Sequence, residues 1–380
     1  MQCMLHIYHW QGFSVLSRLV LVSFLLTSEV CNAGVVSVFH QQSGSLSPLQ
    51  NFIFDPNSRS LFVSGINVVY KLSDNLREDA AVMLGPHQDI VQCASGYSLS
   101  LNCTLASVTS DTVNQALVLD TDSEVLIACG TLYGGSCAKI NTGDFSTAEY
   151  IYCPVVPTDG SKSVAVVVAP GFSDSNLLYI GAAYSRPAVT LHDRVGLFSV
   201  RNLQTFKLAS VETSTSSFIE MLPDYQDSFT IDFIRAYHFN GYVYFFFRRP
   251  TSIGSVERTS HVLRICTNDH RMFSIVELRL QCSVNDVTYP YLQDITLTDF
   301  TPPLQMQGDG TITGSTLVGV FTSTAEGSGN SAVCFYQMTG SSGVEVHFQT
   351  ATENCFRGSG SKGPEYIVAP VQCIQVVSCC

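Results

Sequence analysis

The residues best suited to chemistry in this sequence are its 14 cysteines and 9 histidines. Thiolates and imidazoles are the usual ligands of zinc, and a zinc site needs them at short, fixed spacings such as Cys-x-x-Cys. The chain has no Cys-x-x-Cys pair, and its histidines are scattered. We therefore predict no metal site and interpret most of the cysteines as disulfide partners in an oxidising compartment. Buried free thiols are the alternative for some of them.

Two short segments have the composition of functional motifs without their spacing. Gly358–Gly363 is rich in glycine and serine but lacks the spacing of a phosphate-binding loop, so we predict a surface loop. His192-Asp193-Arg194 could take part in acid–base chemistry, but a solvated turn ahead of a strand is the better interpretation. No Gly-x-Ser-x-Gly nucleophile motif occurs. The sequence thus predicts a protein that is not an enzyme, with no catalytic residue and no cofactor.

The N-terminal region has the pattern of a secretory signal peptide. Arg18 precedes a short apolar run, Leu19–Leu26, and small residues lead to a cleavage site after Ala33. The run is too short to span a bilayer, which takes about 20 apolar residues, and no later segment is long enough. We predict a signal peptide over residues 1–33, no membrane insertion within this chain and an extracellular location. A buried core segment or a signal anchor is the alternative.

The composition excludes two further classes of protein. Hydrophobic residues make up 46% of the chain and charged residues only 13%, which is the opposite of a disordered protein. The formal net charge of −12 would repel a phosphate backbone, so nucleic acid is not a predicted partner.

One strand pattern recurs along the chain at intervals of roughly 50 to 75 residues, as expected for repeated antiparallel sheets. Each copy has a turn with Asp, Asn or Ser, an apolar strand that often ends in Gly, and a second strand. The copies begin near Asp55, Leu117, Val164, Phe233 and Thr316. Strands that are apolar almost throughout are buried on both faces, and repeated sheets achieve this by packing around an axis. We predict an all-β fold, a β-propeller, with a β-sandwich as the alternative.

The cysteine frame carries a family resemblance. The strand His261-Val262-Leu263-Arg264-Ile265-Cys266 leads through Phe273-Ser274-Ile275-Val276-Glu277 to Cys282. The same arrangement of cysteines and flanking strand residues includes Leu126–Gly130 with Gly135-Ser136-Cys137, and Ser331–Cys334. From about Phe52 to about Cys373 the chain resembles the Sema domain, and in particular that of the plexin receptors.

The resemblance implies a set of disulfide bonds. They are Cys93–Cys103, Cys129–Cys137, Cys282–Cys334, Cys355–Cys373 and a bond from Cys266 to Cys379 or Cys380. It assigns no partner to Cys153. Independently of the resemblance, Asn102-Cys103-Thr104 is an N-glycosylation acceptor, and we predict a glycan on Asn102.

The resemblance also implies an architecture and a role. The expected fold is a seven-bladed propeller of Sema type, of which this chain holds about five blades, so residues 34–380 form a partial Sema domain. The implied function is semaphorin recognition in a plexin-like receptor at the plasma membrane, with homo-association through the domain as a further expectation. A secreted semaphorin, or the Sema domain of a hepatocyte-growth-factor-receptor-type tyrosine kinase, is the alternative. The sequence does not predict which residues bind the ligand.

Overall fold

The structure is a computed structural model, and it describes most of the chain between residues 48 and 368. The described residues are 39, 48–89, 108–172, 175–185, 195–211, 217–226, 228–284, 286–305, 311–325, 327, 329–361 and 363–368.

The described strands form five successive antiparallel sheets, each a blade in which neighbouring strands follow one another along the chain. Blades 1 and 2 are β1 (Asn51–Asp55), β2 (Ser60–Ser64), β3 (Val68–Leu72), β4 (Glu78–Met83), and β7 (Asn114–Asp120), β8 (Val125–Gly130), β9 (Cys137–Asn141), β10 (Ala148–Ile151). The hairpin β5 (His87–Asp89) and β6 (Val108–Ser110) lies between them. Blades 3 and 4 are β11 (Val164–Pro170), β12 (Asn176–Ala182), β13 (Phe198–Asn202), β14 (Phe218–Met221), and β15 (Asp232–Phe239), β16 (Tyr242–Pro250), β17 (Arg258–Cys266), β18 (Val276–Leu280).

The fifth blade has three described strands and follows a small hairpin. The hairpin is β19 (Cys282–Val284) and β20 (Val287–Tyr289), and the blade is β21 (Tyr291–Gln305), β22 (Thr311–Thr322) and β23 (Ser331–Gln337). After it come one helix, α1 (Val344–Phe356), and the short strand β24 (Ile367–Val368). The first strands of successive blades contact one another, so they lie innermost around the propeller axis.

The hydrophobic core is divided among the four junctions between successive blades. Neighbouring residues of one strand pack into different junctions. On β8, Leu126 packs between blades 1 and 2, whereas Ile127 packs between blades 2 and 3. On β16, Phe245 packs towards blade 3 and Phe246 towards blade 5. Because both faces of these two second strands are covered, each contains an apolar run, residues 125–129 in β8 and 242–247 in β16. The predicted all-β propeller of Sema type, with about five blades in this chain, is confirmed.

The aromatic run Tyr242 to Phe247 is part of a largely buried strand. It forms β16, the second strand of blade 4, and Phe245, Phe246 and Phe247 are at most 1% exposed. The turn before it, Asn240-Gly241, has positive φ at both residues (50° and 77°). This is the geometry of a two-residue type I′ hairpin, for which Asn-Gly is the preferred sequence.

The helix α1 is a feature that the strand pattern did not predict. Its sequence begins Val344-Glu345-Val346-His347-Phe348, in which apolar and polar residues alternate as they do in a strand. In the structure Val344, Phe348 and Cys355 are the buried residues of the helix, and the first two pack between blades 4 and 5. The tertiary contact, rather than the local pattern, therefore selects the helix.

The divided core makes a prediction about stability. Phe198 is fully buried between blades 3 and 4, where its ring meets Phe233 and Phe245. Phe198→Ala should lower the free energy of unfolding by about 3–5 kcal/mol, because it removes a large buried ring and leaves a cavity. Urea unfolding followed by far-UV circular dichroism would measure the change. Phe54→Ala is the matched control, since this strand phenylalanine is 53% exposed; an equal loss in both variants would contradict the junction as the source of stability.

Candidate functional site

A cleft of about 520 Å³ opens where blades 3 and 4 meet, at the end of the propeller at which β11 and β15 begin. Three chain segments line it: the turn before β11, the residues after β12 and the segment before β15. The lining residues are Asp159, Ser161, Lys162, Ser163, Ala183, Tyr184, Ser185, Gln226, Phe229, Thr230, Ile231 and Asp232. Because antiparallel strands reverse direction, the start of β11 and the end of β12 lie at the same end of the sheet and can share one opening.

The floor of the cleft is fixed by hydrogen bonds across the blade junction. The backbone N–H of Phe233 donates to Ser163 Oγ at 2.8 Å, and Ser163 Oγ in turn donates to the Ile231 carbonyl at 3.3 Å. At the rim, Tyr184 donates its hydroxyl proton to Gln226 Oε1 at 2.7 Å. These bonds join the first strands of two blades, so the walls of the cleft are set by the propeller itself and not by a single loop.

The cleft carries charges of both signs. Asp159 accepts from the Ser161 hydroxyl at 2.7 Å and from its backbone N–H at 2.9 Å, and these bonds lower the pKa of its carboxyl. The carboxylate oxygen Oδ2 of Asp232 lies 2.9 Å from Arg258 Nη2, so the charge of Asp232 is already paired. Lys162 adds an ammonium group on a half-buried stem. The site can therefore hold polar or charged groups of a partner by hydrogen bonds and ion pairs.

Two of the predicted cysteine pairs are disulfide bonds in the structure. Cys129–Cys137 closes the hairpin between β8 and β9, with Cα atoms 3.9 Å apart. Cys282–Cys334 joins the start of β19 to β23, with Cα atoms 5.9 Å apart. The second bond therefore links the segment that leaves blade 4 to the outermost described strand of blade 5.

The structure describes only some of the residues in the other predicted disulfides, and it does not describe the predicted glycan site. Cys266 and Cys355 are disulfide-bonded, while their expected partners Cys373, Cys379 and Cys380 lie outside the described residues. Cys93, Cys103 and Asn102 also lie outside them, as does His192-Asp193-Arg194. These pairings and the glycan stay predictions. Cys153, which had no predicted partner, is buried, and its thiol donates to the Phe206 carbonyl at 3.3 Å.

Sequence reasoning missed a buried polar cluster in blade 4. The side chain of Glu277 is 2% exposed, and its Oε1 accepts from Arg249 Nε at 2.6 Å. The same oxygen lies 2.7 Å from His261 Nδ1, and Tyr366 donates its hydroxyl proton to Oε2 at 2.8 Å. The local sequence carried little signal, because Glu277 and His261 stand among other polar residues of β18 and β17. The cluster also depends on Tyr366, which is 89 residues from Glu277.

The Glu277 cluster has the groups of an acid–base site without access for a substrate. Its glutamate and histidine are 2% and 8% exposed, and they lie between outer strands of blade 4, away from the propeller axis. Within the described ranges, no group of three or more His, Cys, Asp or Glu side chains could hold a metal ion. Among the described residues, no helix is long and apolar enough to cross a membrane.

Comparison with known proteins finds relatives of similar sequence and fold. The chain is 29% identical over 262 residues to plexin A3 of Danio rerio, a match that covers 61% of this chain and 14% of the relative. It is 27% identical over 283 residues to plexin-B3 of Mus musculus, which covers 72% of this chain and 14% of the relative. The extracellular region of plexin A4 superposes with a TM-score of 0.65 at 20% sequence identity, covering 84% of this chain and 37% of that one. No family model matches.

The chain thus resembles plexins in sequence and their extracellular Sema region in fold. It spans about one seventh of the length of the curated plexins that it matches, 14% in each case. The resemblance drawn from the cysteine frame is therefore confirmed by sequence relatives as well as by fold.

The Cys282–Cys334 and Cys129–Cys137 disulfides should differ in their contribution to stability. The Cys282–Cys334 bond closes a loop with a sequence separation of 52, and the Cys129–Cys137 bond one of 8. Since a crosslink restricts the unfolded chain more when its loop is longer, we expect losses of about 4 and about 2.5 kcal/mol respectively. Double Cys→Ala variants of each pair, unfolded in urea, would measure both losses. A larger loss for the short loop would contradict this explanation.

Proposed function

We propose that this Sema domain is the ligand-recognition part of a plexin-like receptor, that it lies outside the cell, and that its ligand is a semaphorin. The observation that carries the proposal is the sequence match to plexins over most of the described propeller. A propeller with buried blade junctions is a rigid support, and a rigid surface loses little entropy when it binds another protein. The role requires no catalysis, so the domain acts by recognition alone.

The cleft between blades 3 and 4 is the contact site that we propose within this surface. Binding energy in protein interfaces is concentrated in a few side chains that enter preformed pockets. The cleft has fixed walls, an aromatic residue, Tyr184, and the charged groups Asp159 and Lys162. A partner that inserts a charged side chain there would gain a charge-assisted hydrogen bond, which is roughly twice as strong as a neutral one.

The alternative role, a secreted semaphorin, has less support. A semaphorin is expected to have a longer insert between the cysteines that correspond to Cys266 and Cys282, and that insert is expected to contain a tryptophan. Here those two cysteines are separated by only 15 residues, and the sole tryptophan of the chain is Trp10. The spacing thus favours the receptor over the ligand.

A biosensor experiment tests the receptor proposal. The secreted chain, immobilised on the sensor, should bind at least one semaphorin ectodomain with a Kd of about 1 μM or tighter, as is common for a receptor–ligand interface of ordinary size. If no member of a semaphorin panel binds at concentrations of tens of micromolar, the proposed function is wrong.

A pair of lysine variants tests the contact site. Lys162→Glu reverses a charge inside the cleft, and we expect it to weaken binding at least about fivefold, or about 1 kcal/mol. Lys207→Glu makes the same change at an exposed position outside the cleft lining, and it should leave the Kd unchanged. Equal effects of the two variants would exclude the cleft while leaving semaphorin binding intact.

A further inference from the structure

The segment after α1 reaches the outer edge of blade 3. Its last described residues form β24, which adds to the outer edge of blade 3 by pairing with β14, Met221 opposite Ile367 and Glu220 opposite Val368. The backbone N–H of Leu222 also donates to the Tyr366 carbonyl at 2.8 Å. We call residues 363–368 the strap. Within the described residues its strand pairing comprises two residue pairs.

The strap is held mainly by the side chain of Tyr366. The ring is fully buried between blades 3 and 4, 5.1 Å from the ring of Phe229 and 5.3 Å from the guanidinium carbon of Arg249. Its hydroxyl reaches Glu277, the centre of the buried cluster. Gly363 completes the fit, because a Cβ at that position would lie 2.8 Å from the Cβ of Glu277. The strap and the Glu277 cluster are therefore one packing unit.

Docking of the strap depends on the charge state of this unit. At neutral pH the single negative charge of Glu277 faces the positive charge of Arg249, and the hydroxyl of Tyr366 donates to it. The side chain of His261 also contacts Glu277, with its Nε2 2.8 Å from Thr259 Oγ1 and its ring stacked on Phe247. The remaining charged groups that act on the cluster are Arg279, in the same strand as Glu277, and Glu365, in the strap.

We propose that Glu277, His261 and Tyr366 form an acid-labile clasp, which keeps the strap docked at neutral pH and releases it from the edge of blade 3 on acidification. A proton on His261 would put a second positive charge beside Arg249 in a site that water does not reach, and a proton on Glu277 would remove the acceptor of the Tyr366 hydroxyl. When the strap leaves, both groups meet water and can take up protons at little cost. Protons therefore favour the open form.

The direction of the pKa shifts agrees with this coupling. Burial is the largest cause that lowers the pKa of His261 from its ordinary 6.5; the Glu277 carboxylate opposes it, and the charges of Arg249 and Arg279 add to it. Burial by itself would raise the pKa of Glu277, but hydrogen bonding and charge from His261 and Arg249 bring it below 4.5. For both groups the closed form binds protons less readily than the open form. The clasp is thus fully effective above pH 6.5 and weakens as the pH falls below it, with a second loss below pH 4.5.

Hydrogen–deuterium exchange of the full chain tests the clasp. Protection of the peptide that contains the strap, corrected for the intrinsic pH dependence of exchange, should fall by up to about tenfold between pH 7.5 and 5.5. A histidine that takes up its proton only in the open form, at its ordinary pKa of 6.5, favours opening by at most about that factor at pH 5.5. Peptides from β8 of blade 2, which carries no residue of the cluster, should keep their protection over the same range. Constant protection of the strap, or a parallel loss in β8, would overturn the proposal.

Variants separate the clasp from a general effect of acid. His261→Gln cannot be protonated in this range and should flatten the pH dependence of strap protection between pH 7.5 and 5.5. His238→Gln is the matched control, since this half-buried histidine lies on β15 and outside the cluster, and it should leave the pH dependence of strap protection unchanged.

Tyr366→Phe keeps the buried ring and removes only the hydroxyl, so it should lower strap protection at pH 7.5 and make the pH dependence shallower. An unchanged profile in Tyr366→Phe, or the same pH dependence in His261→Gln as in the parent chain, would refute the clasp. None of these outcomes depends on the identity of the ligand.

Discussion

The burial of apolar side chains between neighbouring blades is the interaction on which the rest of this structure depends. A single four-stranded sheet has two faces, and each blade hides them by packing against the blade before and the blade after it. Leu126 and Ile127 serve different junctions although they are neighbours in the chain. Stability is consequently built up pair by pair, with each blade contacting only its neighbours, as in other repeat architectures.

The same constraint shapes the polar features. Ser163 supplies hydrogen bonds across the junction of blades 3 and 4, and this gives the cleft above it walls that belong to two blades. Arg264, which is 7% exposed, lies over the rings of Tyr242 and Phe348, at 4.1 and 4.6 Å from their centroids. Charged groups inside such a core are costly unless they are paired, and the Glu277 cluster meets that requirement by drawing in an arginine, a histidine and a tyrosine from three other segments.

Local sequence predicted the repeating part of the fold and missed the part that depends on distant contacts. The strands from Leu61 to Leu72 and from Val125 to Ile140 could be read from apolar runs and turns, because burial of both faces leaves a direct mark on composition. The helix α1 could not, since its alternating start resembles a strand. The run Gly358–Gly363 was expected to be a surface loop, and most of it is exposed, yet Gly363 packs on Glu277. The cleft could not be predicted from the sequence either, because its three segments come together only when the blades pack.

The bond between Cys282 and Cys334 has a mechanical consequence. It spans the chain from the exit of blade 4 to the outermost described strand of blade 5, a separation of 52 residues. A pulling force applied along the polypeptide would pass through the two sulfur atoms and bypass β20, β21 and β22. Those strands could be loosened by such a force only after reduction of the bond, so this portion of the propeller is shielded from extension by a covalent link and not by its packing.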